Sequence, residues 1–393
     1  MVTTLAADRL AELQDEGDDF VLVDTRPADS YDSWHVPGAV HFPFGPEEEL
    51  EGDGNEGGDG DANGRLEEFR QTVGDAERVI TICAKGISSG NLATQLESAT
   101  DEYDVHTVDG GMKGWSGVYD TVEVDVGDPG LTLLQLQRRA KGCFGYVVGC
   151  TETGEAVAVD PTDDVDEFEV AAEEAGLTIV GVIDTHVHAD HISGGRDLAE
   201  SLAVPYYLGE RADEREVEYE YTPLERNEVL AVGDRELKAL FAPGHTSEMI
   251  NLLVDDAALL TADTLHVAST GRTELEFSDD EGEEGARMLY ETLHRTILAE
   301  PEGLAVLPGH VAVTDDGEFE HGSPGEPIAT TIRDARAEID LLGLAEDEFV
   351  ERMADAGEKP SNYEEIIDIN RGRTAAPPED RTELELGPNN CSA

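Results

Sequence analysis

Four apolar runs in this chain stop at a histidine or an aspartate, and this repeated punctuation limits the fold more than any other feature. LTIVGVIDT leads into His186 and the run HVHADH, ELKALFAPGH ends at His245, AALLTADT carries Asp263, and GLAVLPGH ends at His310. Short runs rich in leucine and β-branched residues read as buried strands. Helical stretches alternate with strand-like runs along the chain, so the expected class is a layered α/β fold. Side chains placed where strands run into loops are the usual ligand positions of such folds. His186 and His188 stand two apart, so on extended chain they share a side. Asp190 and His191 follow on the turn toward the next helix. Imidazole and carboxylate donors in one cluster suit zinc or iron.

The first third alternates in the same way. FVLVDTR (Phe20–Arg26) and RVITIC (Arg78–Cys83) read as strands, and AKGISSGNLATQLESA reads as a tight loop followed by a helix. A cysteine ending that strand, Cys83, faces the N–H groups of a helix N-terminus, which favour the thiolate. The competing role is a small buried side chain closing a strand. The stretch PEEELEGDGNEGGDGDANG (Pro46–Gly64) reads as a loop. Its DGDANG imitates the start of a calcium loop, but Arg70 stands where a bidentate glutamate is needed, so calcium is not expected there. Further on, VVGC and AVAVDP suggest a hairpin, with Cys143 and Cys150 as buried structural residues, and Cys391 falls in a terminal segment expected to fray.

Charge narrows the partners. The chain carries 89 Asp+Glu against 26 Lys+Arg, a net charge of -63 spread along its length. Such a surface repels nucleic-acid phosphates and anionic membranes, so neither is an expected partner. It also resembles adaptation to high salt, where counterions screen self-repulsion. Thermal stability is therefore expected to rise with added KCl, and a melting temperature indifferent to KCl would contradict this. Four cysteines without zinc-ribbon spacing form no disulfide framework. The N-terminus lacks a basic start followed by an apolar run, and no stretch has the length of a membrane span, so a cytoplasmic location is expected.

DTRPADSYDSWHVPGAVHFP (Asp24–Pro43), CAKGISS (Cys83–Ser89) and VDGGMKGW (Val108–Trp115) together resemble the rhodanese domain. The resemblance implies a parallel sheet with flanking helices over residues 1–125, and Cys83 as the carrier of sulfane sulfur in a persulfide. Where that family's loop often has an arginine, this chain has Ser88. A linker is expected at 126–130, around VGDPG.

Residues 131–393 resemble the metallo-β-lactamase superfamily, whose HxHxDH motif stands here as HVHADH, with PGH at Pro243–His245 and again at Pro308–His310. The resemblance implies an αββα sandwich with metal at one edge between the sheets. It places His186, His188 and His245 on a first metal, Asp190, His191 and His310 on a second, and Asp263 between them. GCFGYVVG (Gly142–Gly149), DTLHVASTGRTE (Asp263–Glu274), ARMLYETLHRTI (Ala286–Ile297) and PSNYEEIIDIN (Pro360–Asn370) resemble the persulfide dioxygenases, relatives of glyoxalase II. That group implies one Fe(II) per chain on His186, His245 and Asp263, with His188, Asp190, His191 and His310 around it. Implied substrates are a small-thiol persulfide and O2, oxidised to sulfite and thiol, with Arg272 on the carboxylate of the thiol carrier. Homo-oligomerisation is compatible with this. His266 is assigned a structural role. Two other activities compete: a glyoxalase II-like thioester hydrolase using one or two Zn2+, and a non-catalytic sulfur carrier or binding protein.

Overall fold

The computed structural model describes residues 2–50, 64–277, 282–353, 359 and 362–387. The acidic segment 51–63, with most of the DGDANG motif, and Cys391 lie outside the described residues. Two compact units divide the chain: one built from residues up to Val118 with Val313–Glu318, the other from Tyr119–Ala312 and Phe319–Glu385.

The first unit is a sheet of β1 (Thr3–Leu5), β2 (Val21–Asp24), β3 (Val40–His41), β4 (Arg78–Ile82) and β5 (Asp104–Val108). The order is β1-β5-β4-β2-β3 and every pairing is parallel. Parallel strands are covered on both faces, and β4 is buried from Val79 to Ile82 accordingly. Helices Gly64–Val73 and Ile87–Ala99 supply Leu66, Phe69, Leu92 and Leu96 to a core shared with Val23, Phe42 and Val79.

The second unit holds two sheets. The first comprises β6 (Tyr119–Glu123), β7 (Leu131–Arg138), β8 (Cys143–Cys150), β9 (Glu155–Val159), β10 (Thr178–Ile183), β11 (Tyr206–Gly209) and β12 (Thr222–Leu224), in sequential order. The second comprises β13 (Val229–Val232), β14 (Arg235–Phe241), β15 (Ile250–Val254), β16 (Ala258–Ala262), β17 (Ala305–Pro308) and β18 (Thr330–Thr331), also in order. Phe168, Ala171 and Ala172 of helix Val165–Glu174 and Leu198 and Ala199 of helix Gly195–Leu202 pack on Leu134, Leu136, Val147 and Ala158 of the first sheet. Leu289, Ile332, Ala335 and Phe349, from helices Gly282–Thr292, Ile332–Glu338 and Glu346–Met353, cover Leu240, Leu259 and Val306 of the second. The result is the expected αββα sandwich. Every residue of β8 is buried, as a strand between a helical layer and a second sheet must be.

One boundary differs from expectation. β6 precedes the turn VGDPG yet pairs antiparallel with β7, Tyr119 opposite Arg138, so the second unit begins at Tyr119 and not beyond residue 125. β6 is an edge strand with mixed polarity that buries only Val122, which is why the pattern of burial in its sequence is faint. Among the described residues no helix is long and apolar enough to cross a membrane.

Candidate functional site

Five strands of the second unit deliver acidic or imidazole side chains to one edge. Asp160 follows β9, Asp184, Thr185 and His186 follow β10, and His245 lies just beyond β14. Asp263 follows β16 and His310 lies just beyond β17. Close backbone approach is built in at Gly271, where a Cβ would lie 1.8 Å from the Asp263 carbonyl oxygen and 3.3 Å from His245 Nδ1.

Asp263 is the hub. Its Oδ2 lies 3.3 Å from His245 Nε2 and 3.8 Å from His186 Nε2, while its Oδ1 is 2.9 Å from His310 Nδ1. Hydrogen bonds decide which imidazole nitrogens are bare. His245 Nδ1 lies 2.6 Å from the Arg272 carbonyl oxygen, which can only accept, so Nδ1 carries the proton and Nε2 presents a lone pair. The Thr185 hydroxyl donates its one proton to Asp160 Oδ2 at 2.8 Å, so toward His186 Nδ1, 2.9 Å away, it accepts. His186 Nε2 is thereby bare, buried and without a hydrogen-bond partner. Burial, and then His188, hold His186 well below the usual imidazole range, so it stays neutral. Asp263 is held well below the carboxylate range: burial opposes this, but His310 and His245 prevail. A neutral imidazole and an ionised carboxylate are the states a metal needs, and an orphaned buried lone pair is costly without one. The donor set of two nitrogens and an oxygen fits zinc or ferrous iron.

The remaining expected ligands are brought to the same edge but face other partners. His188 Nε2 turns to Asp160 Oδ1 at 3.2 Å, and although burial lowers it, Asp160 carries His188 up to about 10. His191 Nδ1 lies 3.1 Å from Asp190 Oδ1, and Cys143 Sγ donates to Asp190 Oδ2 at 3.0 Å. Asp190 stays well below the carboxylate range against burial, through His191. Cys143, expected only as a filler, thus orders a ligand-type carboxylate. His266, assigned a structural role, belongs to the cluster: Nε2 lies 3.8 Å from Asp263 Oδ1 and its ring sits 4.2 Å from that of His310. Among the described residues, groupings with metal-ligand spacing are His186/His245/Asp263, Asp263/His266/His310, Cys143/Asp190/His191 and Asp160/Asp184/His188.

Three further residues hold the motif's backbone, and of them only Asn370, the last residue of PSNYEEIIDIN, stands in a motif visible in the sequence. Asn370 donates to the carbonyls of His188 (2.9 Å) and His191 (2.8 Å) and accepts from Ser193 N. Glu248, fully buried, accepts from Val187 N at 2.8 Å. Glu385 accepts from Ile192 N. Together they fix the backbone of HVHADH. Arg272 is buried, and its guanidinium closes on Glu274 instead of facing an open cleft.

In the first unit, Cys83 directly follows β4 and precedes the helix Ile87–Ala99. A Cβ at Gly111 would lie 2.0 Å from the Cys83 carbonyl oxygen, so only glycine lets Met112 N reach that oxygen at 2.7 Å. Ser89 Oγ donates to Sγ at 3.3 Å. Burial pushes the thiol up, but bonds from Ser88, Ser89 and the Lys85 backbone outweigh it and hold it below its ordinary value. A bond to the thiolate favours the ionised form, so Ser89→Ala is expected to move the pH midpoint of Cys83 alkylation upward. Iodoacetamide labelling followed by mass spectrometry reads that midpoint, and an unmoved one would show that Ser89 does not hold the thiolate.

Residues 6–117 match the rhodanese-like domain family, and residues 138–316 match the metallo-beta-lactamase superfamily. The chain is 26% identical over 224 residues to the mitochondrial persulfide dioxygenase ETHE1 of Bos taurus, over 56% of this chain and 80% of that protein. It is 26% identical to a hydroxyacylglutathione hydrolase of Polaromonas, over 54% of this chain and 86% of that protein. A probable metallo-hydrolase of Bacillus subtilis, YqgX, is 30% identical over 40% of this chain and 80% of its own length. The crystal structure of ETHE1 from Myxococcus xanthus superposes with a TM-score of 0.53 at 26% identity, over 61% of this chain and 97% of that one. Fold, strand-end cluster and these likenesses agree: the chain belongs to the metallo-β-lactamase superfamily of metal-binding enzymes, with a rhodanese-like domain ahead of that unit.

Proposed function

We propose that this chain is a persulfide dioxygenase, with one ferrous ion held by His186, His245 and Asp263. The balanced reaction is RSSH + O2 + H2O → RSH + SO3 2− + 2 H+, where R is a small thiol carrier. The observation that carries this is the division of the histidines: the Nε2 atoms of His186 and His245 converge on Asp263 Oδ2, whereas His188 Nε2 is engaged by Asp160. Two imidazoles and one carboxylate on one side make a facial triad. Ferrous iron bound to such a triad keeps open positions suited to O2 chemistry.

The chain's own residues supply order and dryness. The Asp160–Thr185 relay and the Arg272 carbonyl lock the two imidazoles in the Nε2-bare tautomer. Asp263 and all the histidines of the cluster are buried, which excludes bulk water from the reacting end of a persulfide. Asp190, His191 and His310 line the same edge beside the triad. Cys83 in the first unit handles sulfane sulfur, and joining the two activities in one chain raises the concentration of one site at the other.

The competing activity is thioester hydrolysis on zinc, favoured by the equal likeness to a hydroxyacylglutathione hydrolase and by the retention of His188, Asp190, His191 and His310. Oxygen consumption separates them. Protein loaded anaerobically with Fe(II), in concentrated KCl, is given a thiol persulfide in an oxygen electrode. Rapid uptake with equimolar sulfite is the expected result. Absence of uptake, with turnover of a glutathione thioester by the zinc-loaded protein, would overturn the dioxygenase in favour of the hydrolase.

A further inference from the structure

Two of the motifs in the sequence, GCFGYVVG and ARMLYETLHRTI, contribute no ligand to the triad, yet each sends one hydroxyl to the turn that carries a cluster histidine. Thr292 Oγ1 donates to the Pro243 carbonyl oxygen at 2.6 Å, and Tyr146 OH donates to the Pro308 carbonyl oxygen at 2.5 Å. Pro243 and Pro308 open the two PGH turns, which end at His245 and His310. The same handle therefore recurs on both turns, two residues before the imidazole.

Each turn is also pressed close to its neighbours. A Cβ at Gly244 would lie 2.4 Å from Leu289 Cα, and Gly244 has a φ of 151°, so only glycine lets the first turn lie on the backbone of helix Gly282–Thr292. At Gly309 a Cβ would lie 2.7 Å from Asp263 Oδ1. The hydroxyls are committed. Thr292 and Tyr146 are 4% and 2% exposed, so bulk water is kept from both bonds. A helical threonine commonly bonds a carbonyl of its own preceding turn, but Thr292 donates across to Pro243. It closes the α-helix just before a π-turn over Leu293–Ile297, an irregularity often found at functional sites. Tyr146 OH accepts from Gln135 Nε2 at 2.9 Å, which leaves its proton for Pro308.

We propose that Thr292 is a positioning residue for His245, acting through the Pro243 carbonyl and on that turn alone. This deepens the function proposed above and rests on the triad named there. The Arg272 carbonyl sets the tautomer of the His245 ring, but the backbone that delivers the ring is set by the turn before it. A buried carbonyl left without a donor is costly, so the turn settles where the Thr292 hydroxyl meets it. Without that hydroxyl the turn is free to seek another donor. His245 Nε2 then drifts from Asp263 Oδ2, which it meets at 3.3 Å. The corresponding bond from Tyr146 serves a different histidine. His310 stands on Asp263 Oδ1 at 2.9 Å, outside the triad.

The affinity of the full chain for Fe(II) and for Zn2+, each measured by competition with a chromophoric chelator at fixed KCl, tests this without turnover. Thr292→Val keeps the size of the side chain and removes the donor. It is expected to weaken the first equivalent of either metal about 10- to 100-fold, the usual effect of removing a ligand's outer partner. Thr292→Ser returns the hydroxyl and is expected to bring the affinity back near the wild-type value. Should the valine variant not fold, Thr292→Ala removes the same donor with the same expectation. Tyr146→Phe, which strips the other turn, is expected to leave the first equivalent near wild type. An unchanged affinity without the Thr292 hydroxyl would overturn the assignment. A serine variant as weak as valine would overturn it too, because the loss would then be one of packing. An equal loss in Tyr146→Phe would mean that the two hydroxyls hold a common frame and not one turn each. Since metal binding is read apart from oxygen uptake, a protein that behaves as expected yet consumes no oxygen would lose the dioxygenase function and keep this assignment.

Discussion

Substituting His186 by alanine is expected to remove both oxygen uptake and most of the bound iron, while persulfide formation on Cys83 continues. His186 supplies one of the two bare Nε2 atoms aimed at Asp263 Oδ2, and the other histidines near it are committed elsewhere, His188 to Asp160 and His191 to Asp190. His310 and His266 stand on the other carboxylate oxygen of Asp263, Oδ1, at 2.9 and 3.8 Å. Changing only the orienting residue, Thr185→Val, leaves the ligand but frees its tautomer and orientation, and should weaken metal about 10- to 100-fold. The two substitutions thus form a graded series, read as iron per chain after dialysis against a chelator and as oxygen-electrode rate. Cys83 lies in the other compact unit, so its labelling by a sulfur donor provides an internal control for folding. Full retention of iron in the His186 variant would sink the triad.

The parts of this site that the sequence announces are those with a pattern. Scarce histidines at the ends of apolar runs identify His186, His245 and His310, and Asp263 ends such a run too. Asp160 has the same signature in AVAVDP, a fifth run ending in a carboxylate, and its role in orienting His186 and His188 could have been read there. His266 is a different case. It reaches Asp263 because the chain folds back between Leu265 and Thr270, a pairing that no periodicity foretells. Arg272 sits in a legible motif, but its side chain is turned by its partner, and a residue two positions on decides whether the fork is open or closed. Glu248 and Glu385 are illegible for a simpler reason. Each is one acid among 89, and only the fold buries those two against backbone N–H groups while leaving most others in solvent.

Glu385→Ala is expected to cost roughly 3–5 kcal/mol of stability, the range for stripping the counter-charge from a buried ion pair. Glu385 follows helix Pro378–Leu384 and is 4% exposed. One carboxylate oxygen takes the Arg138 guanidinium, the other takes Ile192 N, and its carbonyl accepts from Lys141 Nζ at 2.9 Å. A single residue thereby ties the C-terminal segment to the end of β7 and to the loop that carries Asp190 and His191. Deleting the side chain leaves Arg138 buried without the carboxylate it pairs with, and leaves the Ile192 N–H to find water that cannot reach it. Glu385→Gln separates the two contributions. Its amide oxygen can still accept from Ile192 N, so the loop stays tied, while the ion pair is lost. The glutamine variant should therefore keep metal affinity close to wild type yet lose stability, whereas the alanine variant should lose both. Urea unfolding at fixed KCl gives the first quantity and metal retention under a chelator gives the second. A loss below about 1 kcal/mol for alanine, the level of an exposed ion pair, would mean that solvent reaches Arg138 and that the C-terminal segment does not hold the HVHADH loop in place.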